Sequence, residues 1–221
     1  MYVGGLRVLT WNLFHGRAVP PAGRDLFAEF ARRVAGWEWD VALLQEVPPW
    51  WPAGLADRAG AEERHVLTSR NALLGLRHFV AVRWPDLIKS NGGGCNAILV
   101  RGLGIEEHRR LALGWWPERR WMHAVRLGSG VWVGNLHTEA REDQGGAAAA
   151  TLRSWAGGGP AVLGGDFNVS ELELPGFARA GGFDSDQVFV SGMAGEGVRV
   201  LERGFLSDHA PVLVTVVRLR S

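Results

Sequence analysis

Short apolar runs with the spacing of β-strands alternate along this chain with segments of helical periodicity. Residues 6–11 and 40–44 have the pattern of buried strands, and residues 24–36 between them place apolar side chains at helical spacing. Mixed strands and helices of this kind bury their apolar faces by packing in layers. The pattern therefore predicts an α/β four-layer sandwich, in which two packed mixed sheets are flanked by helices. Further strands are predicted at residues 97–100, 105–111, 121–127, 131–136, 161–163 and 212–219.

The segment from residue 48 to residue 96 has the weakest pattern. Its clearest part is a predicted helix at residues 72–82, before a glycine-rich loop at residues 91–94. Another helix is predicted at residues 140–155, where the glycines that follow would end it. No linker or internal repeat interrupts the chain, and its 221 residues fit one domain, residues 1–221.

Composition excludes several classes of protein. No apolar run approaches the roughly 20 residues that a transmembrane helix needs, and residues 1–7 lack the apolar core of a signal peptide. We therefore expect a cytoplasmic protein with no obligate protein partner evident. Cys95 is the only cysteine, so no internal disulfide can form. The net charge of +1, from 24 basic and 23 acidic residues, argues against a long basic surface for nucleic acid but leaves a local patch open.

Polar side chains stand at the ends of four of the predicted strands. Asp208 and His209, before the strand at residues 212–219, could alone belong to a capped turn. However, the ends of several strands converge in space, whereas residues along one strand do not, so we expect the whole group to share one site. The group comprises Asn12, Glu46, Asp166, Asn168, Asp208 and His209.

Six short motifs resemble those of the endonuclease/exonuclease/phosphatase superfamily, in the same order and with similar spacing. They read TWNL, LLQE, GNLHTE, GGDFN, SDQVFV and SDHAPV, and the resemblance runs from about residue 6 to residue 219. The superfamily contains divalent-metal phosphoesterases, including deoxyribonucleases, AP endonucleases, neutral sphingomyelinases and inositol polyphosphate phosphatases. The resemblance implies the same four-layer fold. The chain is compact for this family, so we expect large substrate-recognition insertions to be absent.

Glu46 is the predicted metal ligand. Mg²⁺ prefers hard oxygen donors and commonly binds one or two carboxylates while it retains waters. Asn12 and Asp208 could complete or support this shell. Gln45 would point away from Glu46 along a continuing strand, so we expect it to be structural. The predicted cofactor is Mg²⁺, for which Mn²⁺ could substitute.

Asp166 is the predicted general base or water-orienting group. Asn168, two residues further along an extended chain, would lie on the same side and hold the phosphate or the water. His209 would donate a hydrogen bond to a phosphoryl oxygen as charge develops there. The resemblance implies that Asp186 binds the other imidazole nitrogen of His209 and keeps the ring protonated.

His137 helps to distinguish the subfamilies. Deoxyribonuclease-like, sphingomyelinase-like and phosphatase-like members resemble this chain in having a histidine here, whereas AP endonucleases usually place a tyrosine in the region. The only tyrosine is Tyr2, which disfavours an AP-endonuclease mechanism. We expect His137 to protonate the leaving oxygen or to contact the phosphate. A buried histidine with a structural role is the alternative.

Two substrate-binding residues are also predicted. Asn96 resembles the asparagine of a Gly-Asn-Ala stretch in the family and could position the phosphate, or it could simply tie down the preceding glycine loop. Arginines alternate with tryptophans around residues 109–126, a pattern that can bind phosphates and stack bases. The resemblance implies that an arginine in this region touches the substrate phosphate, and Arg120 is the candidate. An ion-paired surface over core tryptophans gives the same pattern. Two pairs of adjacent tryptophans occur at residues 50–51 and 115–116. An exposed ring from either pair could stack on a base or enter a membrane interface.

The sequence therefore predicts an Mg²⁺-dependent phosphoesterase that attacks phosphodiesters with water, most readily a DNA endonuclease or exonuclease. A phospholipid or small-molecule phosphodiesterase or phosphatase is the alternative, favoured by the nearly neutral charge. A catalytically silent binding module is a further alternative, because folds can outlast their chemistry.

Overall fold

The described part of the chain contains two six-stranded mixed β-sheets. The structure, a computed structural model, describes residues 5–69, 71, 73–87, 94–116, 118–139 and 142–219. In spatial order the first sheet consists of β11 (Met193–Val200), β12 (Val212–Arg218), β1 (Leu6–Asn12), β2 (Val41–Val47), β4 (Gly94–Val100) and β3 (Glu62–Thr68). The second consists of β5 (Ile105–Gly114), β6 (Arg120–Leu127), β7 (Trp132–His137), β8 (Ala161–Asp166), β10 (Asp186–Ser191) and β9 (Ala178–Phe183).

Helices cover the outer faces of both sheets. Helices α1 (Phe27–Gly36) and α2 (Pro52–Ala59) pack on the first sheet, and α4 (Glu142–Ala156) packs on the second. Helix α3 (Leu74–Arg83) follows β3 and has one fully buried side chain, that of Ala81. The predicted four-layer α/β sandwich is therefore confirmed.

The two sheets enclose a core of branched aliphatic side chains. Val8, Val41 and Ile98 project from the first sheet and meet Val125 and Val188 of the second. Alternation along each strand puts the intervening residues on the outer faces, where the helices cover them. This core holds the central strands of both sheets against each other.

Two parallel strand pairs place the predicted polar groups at one edge. Strand β1 runs parallel to β2, with Asn12 opposite Gln45. Strand β7 runs parallel to β8, with His137 opposite Asp166. Because these pairs belong to facing sheets that pack together, their carboxyl ends open onto the same edge of the sandwich.

The predicted elements differ from the structure mainly at their ends. The helix predicted at residues 24–36 begins at Phe27, because the Asp25 carboxylate accepts hydrogen bonds from backbone N–H groups at the helix start. Residue 72 of one predicted helix, residues 140–141 of another and residues 91–93 of the predicted loop lie outside the described residues, and Gly94 is the first residue of β4.

Several elements were not predicted from the sequence. Strands β9 and β11 contain glycines and are largely exposed, and β3 is rich in charged residues, so none shows an apolar alternation. Helix α2 and strand β10 were also missed. In the described residues, no helix combines the length and apolar character needed to cross a membrane.

Candidate functional site

The ends of β1 and β8 are joined by a direct side-chain hydrogen bond. Asn12 Nδ2 donates to Asp166 Oδ2 at 2.9 Å, although the two residues are 154 positions apart. Asn12 Oδ1 accepts a hydrogen bond from the backbone N–H of Phe14 at 2.9 Å. Both side chains are buried, so the amide has one fixed orientation.

Asp166 is the most enclosed carboxylate of the site, being 1% exposed. The backbone N–H of Asn168 donates to Asp166 Oδ1 at 3.0 Å. Burial opposes ionisation of Asp166, but the imidazoles of His137 and His209, with the hydrogen bonds from Asn12 and Asn168, hold its pKa below the ordinary value. The carboxylate is therefore ionised at neutral pH.

At Gly165 the β8 backbone leaves room only for a glycine. Gly165 has φ +142°, and a Cβ there would lie 2.0 Å from the Leu136 carbonyl oxygen. A side chain would separate β7 from β8 just where His137 stands opposite Asp166. Gly165 thus allows the two functional strand ends to approach each other.

The buried Asp186 and the partly exposed His209 form an acid–imidazole pair beside Asp166. His209 Nδ1 lies 2.7 Å from Asp186 Oδ2, and His209 Nε2 lies 3.8 Å from Asp166 Oδ2. Burial alone would lower the His209 pKa, but the hydrogen bond and charge of Asp186, with the charges of Asp166 and Asp208, raise it to about 9. Burial raises the pKa of Asp186 to about 6, against the opposing effect of the His209 hydrogen bond. The imidazole is therefore a cation at neutral pH, aimed toward Asp166.

One atom from each of Asp166, Asp186 and His209 lies within 4.8 Å of the others, a spacing that could accommodate a metal ion. The shortest contact in this group is the Asp186–His209 hydrogen bond, and a protonated imidazole cannot bind a metal. Asp186 Oδ1 is buried and has no hydrogen-bond partner among the described residues. Asp186 is thus better suited to orienting His209 than to binding a metal ion.

Glu46 lies on a distorted section of β2. The register against β4 shifts between Leu44 and Val47, and Glu46 has φ +50°. A left-handed backbone at a residue with a side chain is strained, and such strain is concentrated at functional sites. The bulge turns Glu46 out of the regular strand alternation that the sequence predicted.

The neighbouring Gln45 is directed between the sheets. Gln45 Nε2 donates to Asn135 Oδ1 at 2.8 Å, and Asn135 Nδ2 donates to the carbonyl oxygens of Leu44 and Ala97. These bonds tie β7 of the second sheet to β2 and β4 of the first. Gln45 thereby stabilises the edge from which Glu46 projects.

Two histidines flank the Glu46 carboxylate. His15 Nε2 lies 3.1 Å from Glu46 Oε2, and His137 Nδ1 lies 3.8 Å from Glu46 Oε1. His15 was not identified from the sequence. The available signal was its position three residues after Asn12, in a turn that begins at the strand end.

His137 connects the two carboxylates of the site. Its Nε2 lies 3.6 Å from Asp166 Oδ2, on the other side of the ring from Glu46. Burial and the nearby Arg120 charge lower the His137 pKa to about 4, although Asp166 and Glu46 act in the opposite direction. His137 is therefore neutral at pH 7 and carries a single N–H donor.

Asn168 differs from the predicted geometry. Its φ of +55° breaks the extended chain, so the expectation that it lies on the same side as Asp166 through strand alternation is wrong. The Asn168 side chain instead donates to the Thr138 carbonyl at 2.7 Å, while its backbone N–H binds Asp166. Asn168 thus connects the loop after β7 to the loop after β8.

The remaining predicted residues surround this centre. Asp208 Oδ1 lies 3.9 Å from His209 Nε2, and the Asp208 side chain is 44% exposed. Arg120, at the start of β6, lies close enough to affect His137 and forms an ion pair with Glu118 at 3.1 Å. Asn96 is buried in β4 and donates to the Trp121 carbonyl at 3.1 Å, so it joins the two sheets.

Comparison with known proteins agrees with this arrangement. Residues 9–209 match the Endonuclease/Exonuclease/phosphatase family. An endonuclease/exonuclease/phosphatase from Beutenbergia cavernae has 19% identity and a TM-score of 0.69, over 97% of this chain and 72% of that chain. A Bacteroides thetaiotaomicron mannosyl-6-phosphatase has 18% identity and a TM-score of 0.69, over 96% of this chain and 99% of that chain. Caenorhabditis elegans TDP2 has 20% identity and a TM-score of 0.63, over 96% of this chain and 75% of that chain.

No curated protein matches the sequence. The structural neighbours are too distant in sequence to show more than the fold, but the family match covers most of the chain. The chain therefore belongs to the endonuclease/exonuclease/phosphatase family, whose members are hydrolases that act on phosphoester bonds.

Proposed function

We propose that this chain is an Mg²⁺-dependent phosphodiesterase that cleaves its substrate by direct attack of water. The observation that carries the proposal is the position of Asp166, a buried and ionised carboxylate with His137 at 3.6 Å and the cationic His209 at 3.8 Å. A proton acceptor and a donor for phosphoryl oxygens thus face one small space. Both groups accelerate phosphodiester hydrolysis.

The donor set supports a hard divalent cation at Glu46. Enzymes of this family use divalent metals, and Mg²⁺ takes carboxylate, amide and water oxygens. We assign Glu46 as the principal ligand, with Asn12 and Asp208 completing or supporting the shell. When bound, Mg²⁺ would neutralise phosphate charge and polarise the scissile bond. His15 would hold Glu46 in position through the 3.1 Å contact.

Asp166 is assigned as the base that orients the attacking water and accepts its proton. The hydrogen bonds from Asn12 and from the Asn168 backbone fix both carboxylate oxygens. Water forms the new bond to phosphorus while the bond to the leaving oxygen breaks. No covalent enzyme intermediate is required.

His209 is assigned as the donor to a phosphoryl oxygen. Asp186 holds Nδ1, which leaves Nε2 directed toward Asp166 and the substrate. A positive donor becomes more favourable as negative charge develops on the phosphoryl oxygens. His137 would contact the phosphate or the leaving oxygen through its one N–H, and Arg120 would supply a further positive charge beside it.

DNA is the first substrate to test. Trp115 is 64% exposed and lies at the same end of the sandwich as the site, with the Arg119 guanidinium 5.9 Å from its ring. Aromatic and arginine side chains in this combination can stack on bases and bind a phosphate backbone. These observations favour an endonuclease or exonuclease.

A phospholipid or small phosphoester is the second candidate. The net charge of +1 gives no extended basic surface for a duplex. One structural neighbour is a mannosyl-6-phosphatase, which makes a phosphomonoester conceivable for this chain as well. A silent binding module, by contrast, would not need an ionised Asp166 beside a cationic His209.

Supercoiled plasmid provides the direct test. The purified chain should nick plasmid with Mg²⁺, lose the activity in EDTA, and lose about 10² to 10³ in rate in Asp166→Asn. The matched control is Asp57→Asn on the exposed face of α2, which should behave as the parent. Chelator-insensitive nicking, or full activity in Asp166→Asn, would contradict the proposal. A folded chain that leaves plasmid intact but hydrolyses a lipid or small phosphodiester would favour the second candidate.

A further inference from the structure

Helix α3 and the turn after it present an apolar surface to solvent. Its six large side chains are each between 50% and 74% exposed. Several are spaced three residues apart, the spacing that normally turns one helix stripe toward a protein core. Here that stripe points outward, and exposed apolar patches of this kind mark interaction sites. We call this surface the apolar rim; it consists of Leu73, Leu76, Phe79, Val82, Trp84 and Leu87.

The charged side chains on α3 itself are arginines. Arg77 and Arg83 lie on α3, and neither forms an ion pair with a carboxylate in the described residues. The nearest acid in sequence, Asp86, is engaged elsewhere: it accepts a hydrogen bond from the Gly23 N–H at 2.8 Å and lies 3.5 Å from Arg17 Nε. The Arg83 guanidinium lies 5.6 Å from the Trp84 ring. A helix with basic groups and outward aliphatic and aromatic side chains is typical of a membrane-surface helix.

The apolar rim lies beside the catalytic edge, by which we mean the end of the sandwich that carries Glu46, His137, Asp166 and His209. The ring of Trp50, four residues after Glu46, stacks on His78 of α3 with centroids 4.4 Å apart. At the other end, Asn71 hydrogen-bonds both backbone groups of Gly94 at 3.2 Å, and Gly94 packs against the ring of His15. Helix α3 is thus attached to the segments that carry Glu46 and His15.

A second exposed aromatic element stands at the same end of the sandwich. Trp115 and Trp116 are 64% and 75% exposed in the loop between β5 and β6. The backbone N–H of Ser69, just before α3, donates to the Arg119 carbonyl of this loop at 3.0 Å. Tryptophan favours the boundary between lipid and water because its ring is both apolar and polar.

We propose that the apolar rim docks on an anionic lipid bilayer and brings lipid headgroup phosphoesters to the catalytic edge. Leucine, valine and phenylalanine side chains gain little from a nucleic acid backbone, but they gain by burial at the acyl boundary. A second copy of the same surface would add two more arginines to the interface and no carboxylate from α3, which opposes self-association. Anionic headgroups satisfy the arginines and the interface accepts the apolar side chains. The assignment of a lipid substrate rests on the second candidate of the proposed function, a phospholipid phosphoester, whereas the docking does not.

The test is vesicle flotation in EDTA, where catalysis plays no part. The whole chain is mixed with vesicles of phosphatidylcholine alone or of phosphatidylcholine with phosphatidylglycerol. We expect binding to the anionic vesicles, weakened about tenfold by each of Leu76→Ser and Phe79→Ser, since each removes one apolar side chain from the interface. Arg77→Gln with Arg83→Gln should weaken binding to the anionic vesicles specifically.

Val200→Ser on the exposed edge strand β11 is the matched control, because it removes an exposed apolar side chain away from α3. It should bind vesicles as the parent does, and circular dichroism should confirm that every variant folds. Asp166→Asn should also bind as the parent, so failure of catalysis and failure of docking remain separate results.

The docking proposal would be overturned if the parent ignores anionic vesicles, or if Leu76→Ser and Phe79→Ser bind as well as Val200→Ser. A dimer that these two substitutions dissociate would instead assign the apolar rim to a second copy. Loss of DNA retention in the same variants would assign it to nucleic acid.

Discussion

His123 should make the folded state sensitive to acid, although it lies outside the catalytic edge. It is fully buried in β6, and its Nδ1 lies 3.1 Å from Nε2 of His108 on β5. Burial, and then the charges of His108 and His65, lower the His123 pKa well below its ordinary value. His123 Nε2 has no hydrogen-bond partner among the described residues, so no carboxylate offsets a proton there. The folded protein therefore keeps this imidazole neutral.

The sign and size of the effect follow from proton linkage. A histidine in the unfolded chain has a pKa near 6.5, so below that pH the unfolded state binds a proton that the folded state excludes. Stability is therefore lost as the pH falls from about 6.5 toward the depressed folded pKa. Between pH 7.5 and pH 5.0 the loss from one such histidine is about 2 kcal/mol of unfolding free energy, if the folded imidazole stays neutral throughout.

Urea unfolding followed by tryptophan fluorescence at the two pH values measures this loss. In His123→Leu the imidazole is gone, so the fall in unfolding free energy should be about 2 kcal/mol smaller than in the parent. Other acid-sensitive groups, including His137, contribute equally to both proteins and cancel in the comparison. An equal fall in parent and variant would refute the reasoning.

His65→Asn provides a control of opposite sign. The hydrogen bond that His65 Nδ1 donates to Glu63 Oε2 at 2.9 Å raises the His65 pKa, against the opposing effect of burial. Its stabilisation is fully present below pH 6.5 and is lost as the pH rises through the raised pKa. Removing this imidazole should therefore reduce stability more at pH 5.0 than at pH 7.5.

Three further predictions concern the catalytic edge. Asp186→Asn removes the negative acceptor that orients His209, so kcat should fall by about 10² or more while KM changes much less. The circular dichroism spectrum should be unchanged. A kcat equal to that of the parent would contradict the pairing of Asp186 with His209. His15→Ala releases the Glu46 carboxylate and should weaken Mn²⁺ binding, measured by calorimetry, by about 10-fold or more. His15→Gln keeps a hydrogen-bond donor and should recover part of the affinity. Identical Mn²⁺ affinities in the parent and both variants would show that His15 does not position Glu46. Gly165→Ala should lower the free energy of unfolding, measured in urea, by about 3 kcal/mol or more. Gly130 also has a positive φ but faces open space, so Gly130→Ala should lower it by only about 1 kcal/mol. Similar losses in the two variants would mean that β7 and β8 do not approach closely at Gly165.

The strand ends could be predicted because their signal is local. Short apolar runs bounded by polar residues, with Asn12, Glu46 and Asp166 after their runs and His209 before its run, identify both the strands and the polar groups at their ends. Strand ends in a layered fold converge, so the meeting of Asn12 with Asp166 follows from topology. The location of the site was therefore recoverable from the sequence.

Backbone conformations at the site were not recoverable in the same way. The left-handed backbone of Glu46 and of Asn168 depends on how tertiary contacts override the strand, and neither residue is a glycine. The prediction that Asn168 lies on the same side of an extended chain as Asp166 was therefore wrong. His15 was missed because a single histidine in a turn forms no sequence motif. Its contact with Glu46 becomes apparent only in the folded structure.

The hydrogen bond between Asn12 and Asp166 spans 154 positions, and His209, just before β12 of the first sheet, lies 3.8 Å from the same carboxylate. No continuous fragment of the chain can hold these groups together, because they arrive through strands of both sheets. Contacts of such long range form late, after the entropy of closing large loops has been overcome. Partly folded chains, and either half of the chain alone, should therefore lack hydrolytic activity. Activity recovered on mixing two separately produced halves would report that the halves had associated to rebuild the first sheet, whose strands come from both.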